Sequence, residues 1–370
     1  MIEKKITTKN KLKIYILGND YALKSYMKLH KEILNKIAYT SFYSIELIIP
    51  DFKRRSILTI PKDFIYSFLW VNKFKPDYIV SVGPKVGFIF SLISIFNKFN
   101  LIHWYTGQKW ALNNNPYLIP SFLSDLVIYF CAKYCFCDSK EQKEFIKKFF
   151  SKFSKKEIFC SPLGSINYVS DKLLNQGRNK LLTFKNNPVF KSKKMRVGFL
   201  GRICKEKGLE IIFKLSKEKI LEENFKFLIR GPIDNNLSSH ENLKIINFID
   251  QCPNCIDIQI GYEDKLNFFT NIDIFILPSF REGFGSVAIE AQACGIPVIC
   301  SSIYGLRSSV INGFSGIHCD KYNDYINALF GLLNYDLYKK YAKNSFEHAS
   351  LYNKRSFSND LLNLYKSKII

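Results

Sequence analysis

The chain has 370 residues, 47% hydrophobic and 23% charged, which gives it enough apolar matter for two ordinary domains and argues against disorder. Its net charge of +22 lies almost wholly in the first 200 residues, where 34 Lys and Arg face 13 Asp and Glu; the remaining residues are nearly balanced. No stretch reaches the length of a membrane span, and the N-terminus lacks the apolar core and cleavage site of a secretory signal, so a cytoplasmic protein is expected.

"KLKIYILGN" (11–19) reads as a buried strand ending at Gly18, and the segment after it has helical spacing. Residues 76–99 read as strand, Gly-Pro-Lys turn and helix, and "NLIHWYTGQKW" (100–110) as strand then loop. Residues 134–150 read as a short strand and a helix capped by Asp138 or Ser139, and 155–166 as another strand and turn. Residues 168–194 are polar and basic with weak periodicity, and the interdomain link is placed there.

A second set follows. Residues 195–219 read as strand, Gly-Arg turn and helix; 225–234 as a strand ending in Gly-Pro; 256–262 as a strand; 265–279 as a short helix and a strand. A loop, a helix ending at Gly295 and a strand come next, and 324–350 is helical. Strands and helices alternate throughout, which predicts an α/β chain of two doubly wound, Rossmann-like domains. The expected boundaries are 1–175, a linker at 176–194, 195–350, and a C-terminal helix over 351–370 that returns to the first domain.

Ten cysteines are present, including the cluster Cys131, Cys135 and Cys137 and "CPNC" (252–255), but neither cluster has the second pair that zinc requires, so reduced packing thiols are expected. "LGNDYALKSY" lacks the dinucleotide fingerprint, "GPKVG" (83–87) lacks the Walker ending, and no paired-aspartate metal motif occurs.

In open α/β sheets ligands bind beyond the carboxyl ends of strands, which ranks Gly201, Arg202, Lys207, Gly231, Ser279 and Glu282 first. In "GRICKEKG" (201–208), Arg202 and Lys207 can grip phosphate. In "REGFGSVAIEAQACG" (281–295), small residues free the amides of Phe284, Gly285 and Ser286 at a helix N-terminus, while Glu282 and Glu290 can accept hydrogen bonds from hydroxyls. Phosphate and hydroxyls together describe a nucleotide-sugar. The alternative reading is an ordinary strand-helix turn with solvated charges.

These motifs, with "GPKVG", "HWYTGQKW" (103–110), "DS" (138–139), "GSI" (164–166) and "ACGIPVI" (293–299), resemble the retaining GT-B glycosyltransferases of family 4, in the bacterial subgroup that builds O-antigen and capsule on a lipid carrier. The resemblance covers about residues 75–350. It implies two domains facing across a cleft and metal-independent transfer from a UDP-sugar, with no cofactor. Arg202 and Lys207 would bind the donor diphosphate, and Glu282 the sugar hydroxyls. Gly283, Phe284 and Gly285 would present amides, Glu290 would take the ribose, and Gly201, Gly231 and Pro232 would line the nucleotide pocket. On the acceptor side it implies His103, Thr106, Gly107 and Gln108, where many relatives have a histidine.

The donor sugar suggested by the subgroup is an N-acetylhexosamine, and the acceptor an undecaprenyl-diphosphate-linked saccharide at the inner face of the plasma membrane. The basic first domain suits an anionic leaflet, with "EFIKKFFSKFSKK" (144–156) as an interfacial amphipathic segment. A nucleotide-sugar hydrolase or epimerase, and a nucleic-acid-binding protein, are the competing classes; no nucleic-acid module is visible.

Overall fold

A computed structural model describes residues 12–18, 27–36, 38–44, 60–108, 110, 118–160, 168–184, 194–233, 256–261 and 263–369. "GSI" (164–166) and "CPNC" (252–255) lie outside them. The chain forms two compact units, Met1–Asn167 with Phe357–Ile370, and Tyr168–Ser356. Each holds a six-stranded parallel sheet.

The first sheet has the order β2-β1-β3-β4-β5-β6, with β1 Lys13–Gly18, β2 Tyr39–Ser44, β3 Tyr78–Val82, β4 Asn100–Tyr105, β5 Tyr134–Cys137 and β6 Ile158–Cys160. Its helices are α1 Lys28–Leu34, α2 Ile60–Phe74, α3 Pro84–Phe96, α4 Leu118–Cys131 and α5 Lys140–Phe150. Right-handed crossovers put α2, α3, α4 and α5 on one face, because each advances the chain in the same direction across the sheet. Tyr15, Leu101, Tyr105 and Cys135 meet Phe90, Ile128, Tyr129 and Phe150 there in one apolar core. On the opposite face α1 meets the last helix, α14 (Lys354–Ile369): His30 Nδ1 is 2.8 Å from the Tyr365 hydroxyl, and the His30 ring stands edge-on to Trp104.

Two details of this unit bear on the reading of the sequence, the first deciding between its two cap candidates and the second correcting it. Ser139 is the cap of α5, accepting the Gln142 N–H at 3.0 Å. Asp138 is buried instead, taking the Trp104 indole N–H at 2.6 Å, and burial pushes its carboxyl up to about 7. The amphipathic stretch 144–156 is helical only to Phe150, and its apolar side faces the core: Ile146 and Phe150 are buried and Phe145 stacks on Trp110. A strong helical moment is what any helix packed on a sheet must have, so by itself it did not distinguish a membrane from a domain core. Lys156, just beyond, donates to the carbonyls of Tyr129, Phe130 and Ala132, closing the C-terminus of α4.

The second sheet has the order β12-β11-β10-β7-β8-β9: β7 Met195–Leu200, β8 Phe225–Gly231, β9 Ile256–Ile260, β10 Ile274–Leu277, β11 Val298–Ser301 and β12 Gly316–Cys319. "IFIL" of β10 is buried throughout, as a central parallel strand must be. The helices are α6 Asp171–Thr183, α7 Leu209–Ser216, α8 Lys219–Glu222, α9 Lys265–Thr270, α10 Ser286–Ala293, α11 Tyr304–Arg307, α12 Tyr322–Gly331 and α13 Tyr335–Ser350. Helix α6 occupies part of the expected link. Its Leu173, Leu174 and Gly177 are buried, with Gly177 against the Ala293 carbonyl of α10, so this polar segment belongs to the second unit. A single apolar stripe on a 13-residue basic helix gave too little periodicity to be read as structure. No helix among the described residues is long and apolar enough to cross a membrane.

Candidate active site

In the second sheet the chain runs from β7 outward to β8 and β9, then returns to place β10 on the other side of β7. The order therefore reverses between β7 and β10, and a crevice opens at such a switch point. The loops leaving these two strands carry Gly201–Gly208 and Pro278–Gly285.

The loops are clasped together. After β7 a single 3-10 turn, Lys205–Lys207, ends at Gly208, whose φ of +67° is left-handed. A β-carbon on Gly208 would stand 1.9 Å from the Pro278 carbonyl oxygen, so only glycine lets the two backbones approach. The Phe280 N–H donates to the Glu206 carbonyl at 2.9 Å, and Arg281 Nη2 to the Glu206 carboxylate at 2.5 Å. Lys207 Nζ then donates to Glu282 Oε1 at 2.5 Å, and Ser279 Oγ to the same oxygen at 2.9 Å. Ser301 on β11 holds the Ser279 carbonyl from behind.

Gly305 of α11 completes the seat, since a β-carbon there would strike the Glu282 carbonyl at 2.0 Å. Side chains of Lys207 and Glu282 are 16% and 11% exposed, so the pair is largely shielded yet not closed to solvent. Arg202 is exposed at the β7 end. Gly231 ends β8 with its backbone against Gly201, leaving 1.9 Å between a would-be β-carbon and the Gly201 carbonyl, and Pro232 accepts the Ile203 N–H at 2.8 Å.

Gly285 precedes α10 in a left-handed conformation, and Gly283 and Phe284 form the bend before it. Phe284 is buried against Tyr352, with ring centroids 5.6 Å apart; its side chain anchors the loop and leaves only its backbone for a ligand. Glu290, one turn into α10, is paired with Lys265 Nζ of α9 at 2.6 and 2.8 Å. The two glutamates thus have separate cationic partners. They are not an acid/base pair. A lysine and an acid held together at a strand-end crevice can serve an anion and a hydroxyl at adjacent points of one ligand.

Residues 182–347 match the family described as glycosyl transferases group 1. This stretch is a group 1 glycosyl transferase domain, and the chain is a glycosyltransferase. The capsular polysaccharide biosynthesis glycosyltransferase CapM of Staphylococcus aureus is 28% identical over 279 residues, covering 74% of this transferase and 71% of that one. The transferase spans less than half the length of other curated relatives that it matches. Its fold matches sucrose-phosphate synthase from Thermosynechococcus elongatus, with a TM-score of 0.77, 18% identity and coverage of 96% and 99% of the two chains. It likewise matches Anabaena HepE in complex with UDP-glucose, with a TM-score of 0.70, 13% identity and coverage of 96% and 100%. The two Rossmann-like units of the transferase are those of the GT-B glycosyltransferases.

The residues expected on the acceptor side lie in the first unit, and two of the four are buried. His103 is 1% exposed; its Nδ1 lies 2.9 Å from Ser81 Oγ, and a β-carbon on Gly87 of α3 would stand 2.5 Å from its ring. Burial lowers its pKa to about 3, so it is a neutral core histidine. Alternation along β4 decides this, since 101, 103 and 105 all face the α3 layer. Gln108 is buried and accepts from Gln142 at 3.3 Å. Thr106 and Gly107 are half-exposed after β4. The expectation of an acceptor contact therefore fails for the His103 side chain. In the second unit Glu206, Arg281, Gly305 and Lys265 also take part in the contacts around the candidate residues. Sequence reading missed them, since each matters only through a neighbour 23 or more positions away.

Proposed function

We propose that the transferase is a retaining, metal-independent enzyme that moves a sugar from a UDP-sugar to a lipid-diphosphate-linked saccharide. The reaction would serve O-antigen or capsule synthesis at the inner face of the plasma membrane, with an N-acetylhexosamine as the sugar. The observation that carries this reading is the Lys207–Glu282 pair at the β7/β10 switch point, with Arg202 exposed at the end of β7. In the proposed reaction the bond from the anomeric carbon to the diphosphate oxygen breaks and its electron pair stays with UDP. Arg202, Lys207 and the amides before α10 meet that charge, electrostatic stabilisation being the largest single contribution in most such sites. Glu282 accepts hydrogen bonds from sugar hydroxyls. The acceptor hydroxyl forms the new bond on the face the diphosphate left, and its proton leaves with it. Capsular polysaccharide synthesis in the name of CapM, and UDP-glucose bound to HepE, support the reading of donor and pathway.

A panel of UDP-, GDP- and dTDP-sugars tests it by thermal melting and by hydrolysis. A UDP-sugar is expected to raise Tm and to be hydrolysed slowly, because a ligand bound only by the folded state stabilises it by mass action. Stabilisation by none of them, or by GDP-sugars alone, overturns the donor assignment.

A second expectation concerns Glu290, whose carboxylate is paired with Lys265. If Glu290 takes the ribose hydroxyls, Lys265 competes for it. Lys265→Ala is then expected to lower KM for the donor by up to about fivefold, the worth of an exposed ion pair, and to leave kcat near wild type. Steady-state kinetics with varied donor checks this; a fall in kcat with KM unchanged contradicts it.

A further inference from the structure

Among the described residues of the first unit, most of the large exposed apolar side chains lie on α2, α3 and α4. These helices are neighbours in one layer, with α3 between the other two. Their outward side chains include Ile65 and Leu69 on α2, Ile95 and Phe96 on α3, and Ile119, Leu123 and Phe130 on α4. Each is between 48% and 72% exposed, which for seven large apolar side chains on three packed helices marks a surface with a partner. Residues 119, 123 and 130 share one stripe of α4, as 65 and 69 do on α2.

The charges on these three helices are one-sided. The three helices contain only two acids, Asp63 and Asp125, and both are buried. Asp63 is held by Lys85 at 2.8 Å, and Asp125 by the Trp110 indole N–H at 2.8 Å. Lys62 and Lys73 on α2, and Lys75, Lys98 and Lys133 in the turns after α2, α3 and α4, are exposed. The one exposed acid in those turns, Asp77, takes the Lys13 backbone N–H.

We propose that the outer face of α2, α3 and α4 docks on an anionic lipid bilayer. Aliphatic and aromatic side chains enter the headgroup boundary, and the lysines meet lipid phosphates. A second copy of the chain fits this face less well, since a two-fold contact would bring the lysines of both copies together with no exposed acid on the helices to pair them. The inference names the surface for the membrane location in the proposed function. Vesicle binding needs neither donor nor acceptor sugar, so failure of one reading is separable from failure of the other.

Co-sedimentation of the full chain with vesicles of phosphatidylglycerol and phosphatidylcholine tests it. The wild type is expected to bind these and to bind pure phosphatidylcholine much more weakly. Added salt should reduce binding without abolishing it. Leu69→Glu with Leu123→Glu, both exposed positions, should leave the melting temperature near wild type and weaken binding by about tenfold or more. Phe153→Glu, beyond α5, should bind as wild type does. Unchanged binding of the Leu69/Leu123 variant, or loss of binding in Phe153→Glu alone, overturns the assignment. So does a lipid-free, concentration-dependent dimer of the wild type that the Leu69/Leu123 variant lacks, because a second copy would then be what covers the face.

Discussion

Glu282→Ala is expected to lower sugar transfer by about a thousandfold or more, the scale of losing a group that acts in the transition state. The side chain does two jobs, and the structure separates them. It would hold donor hydroxyls, and it neutralises Lys207 in a largely shielded pair. Removing it strands the lysine, which costs up to about 3 kcal/mol of stability if the site stays dry. Glu282→Gln separates the two: it keeps an acceptor for Ser279 Oγ, now 2.9 Å from Oε1, while losing the charge. Both variants should show the wild-type circular dichroism spectrum, with a lower Tm for alanine than for glutamine. Transfer in Glu282→Ala within tenfold of wild type would remove this residue from the reacting centre.

Gly208→Ala is expected to be the most damaging small substitution near the site, although Gly208 touches no ligand in the proposed reaction. A left-handed φ costs a non-glycine residue about 1 kcal/mol. The larger cost is the methyl group placed 1.9 Å from the Pro278 carbonyl, which forces the β7 and β10 loops apart. The sum is about 3 kcal/mol or more, together with a fall in kcat as Lys207 and Glu282 lose their shared position. Gly313→Ala is the matched control: its φ is +75°, and a β-carbon there meets nothing within 4 Å. It should lose about 1 kcal/mol and no activity. Urea unfolding of both, beside their kinetics, checks the pair; equal losses would show that backbone strain, and not the loop clasp, governs the site.

Much of the second unit could be read from sequence, and the reasons are local. Strands such as "MRVGFL" and "IFIL" announce themselves by continuous apolar runs, and the glycines after β7 and before α10 mark the turns. The rule that ligands sit beyond strand carboxyl ends then ranks Arg202, Lys207 and Glu282 high on local pattern alone. The first unit was less legible. Helix α2 carries apolar residues on its buried and exposed sides alike, so its periodicity is blurred by the face it leaves uncovered. The stretch 144–156 was the opposite case: its clear amphipathic pattern was right about the helix and wrong about what covers it.

The sequence by itself determined the α/β alternation, the two-unit plan and the identity of the charged residues at the strand ends. Those follow from interactions between near neighbours, which a one-dimensional pattern records. Only the tertiary structure decided the pairings. Glu282 meets Lys207 across 75 residues because two parallel strands lie side by side at the reversal in sheet order. Glu290 belongs to Lys265, and His103 lies buried beneath α3 against Gly87. Whether a side chain faces core, crevice or solvent is set by what packs over it, and the elements that pack over these residues come from distant parts of the chain.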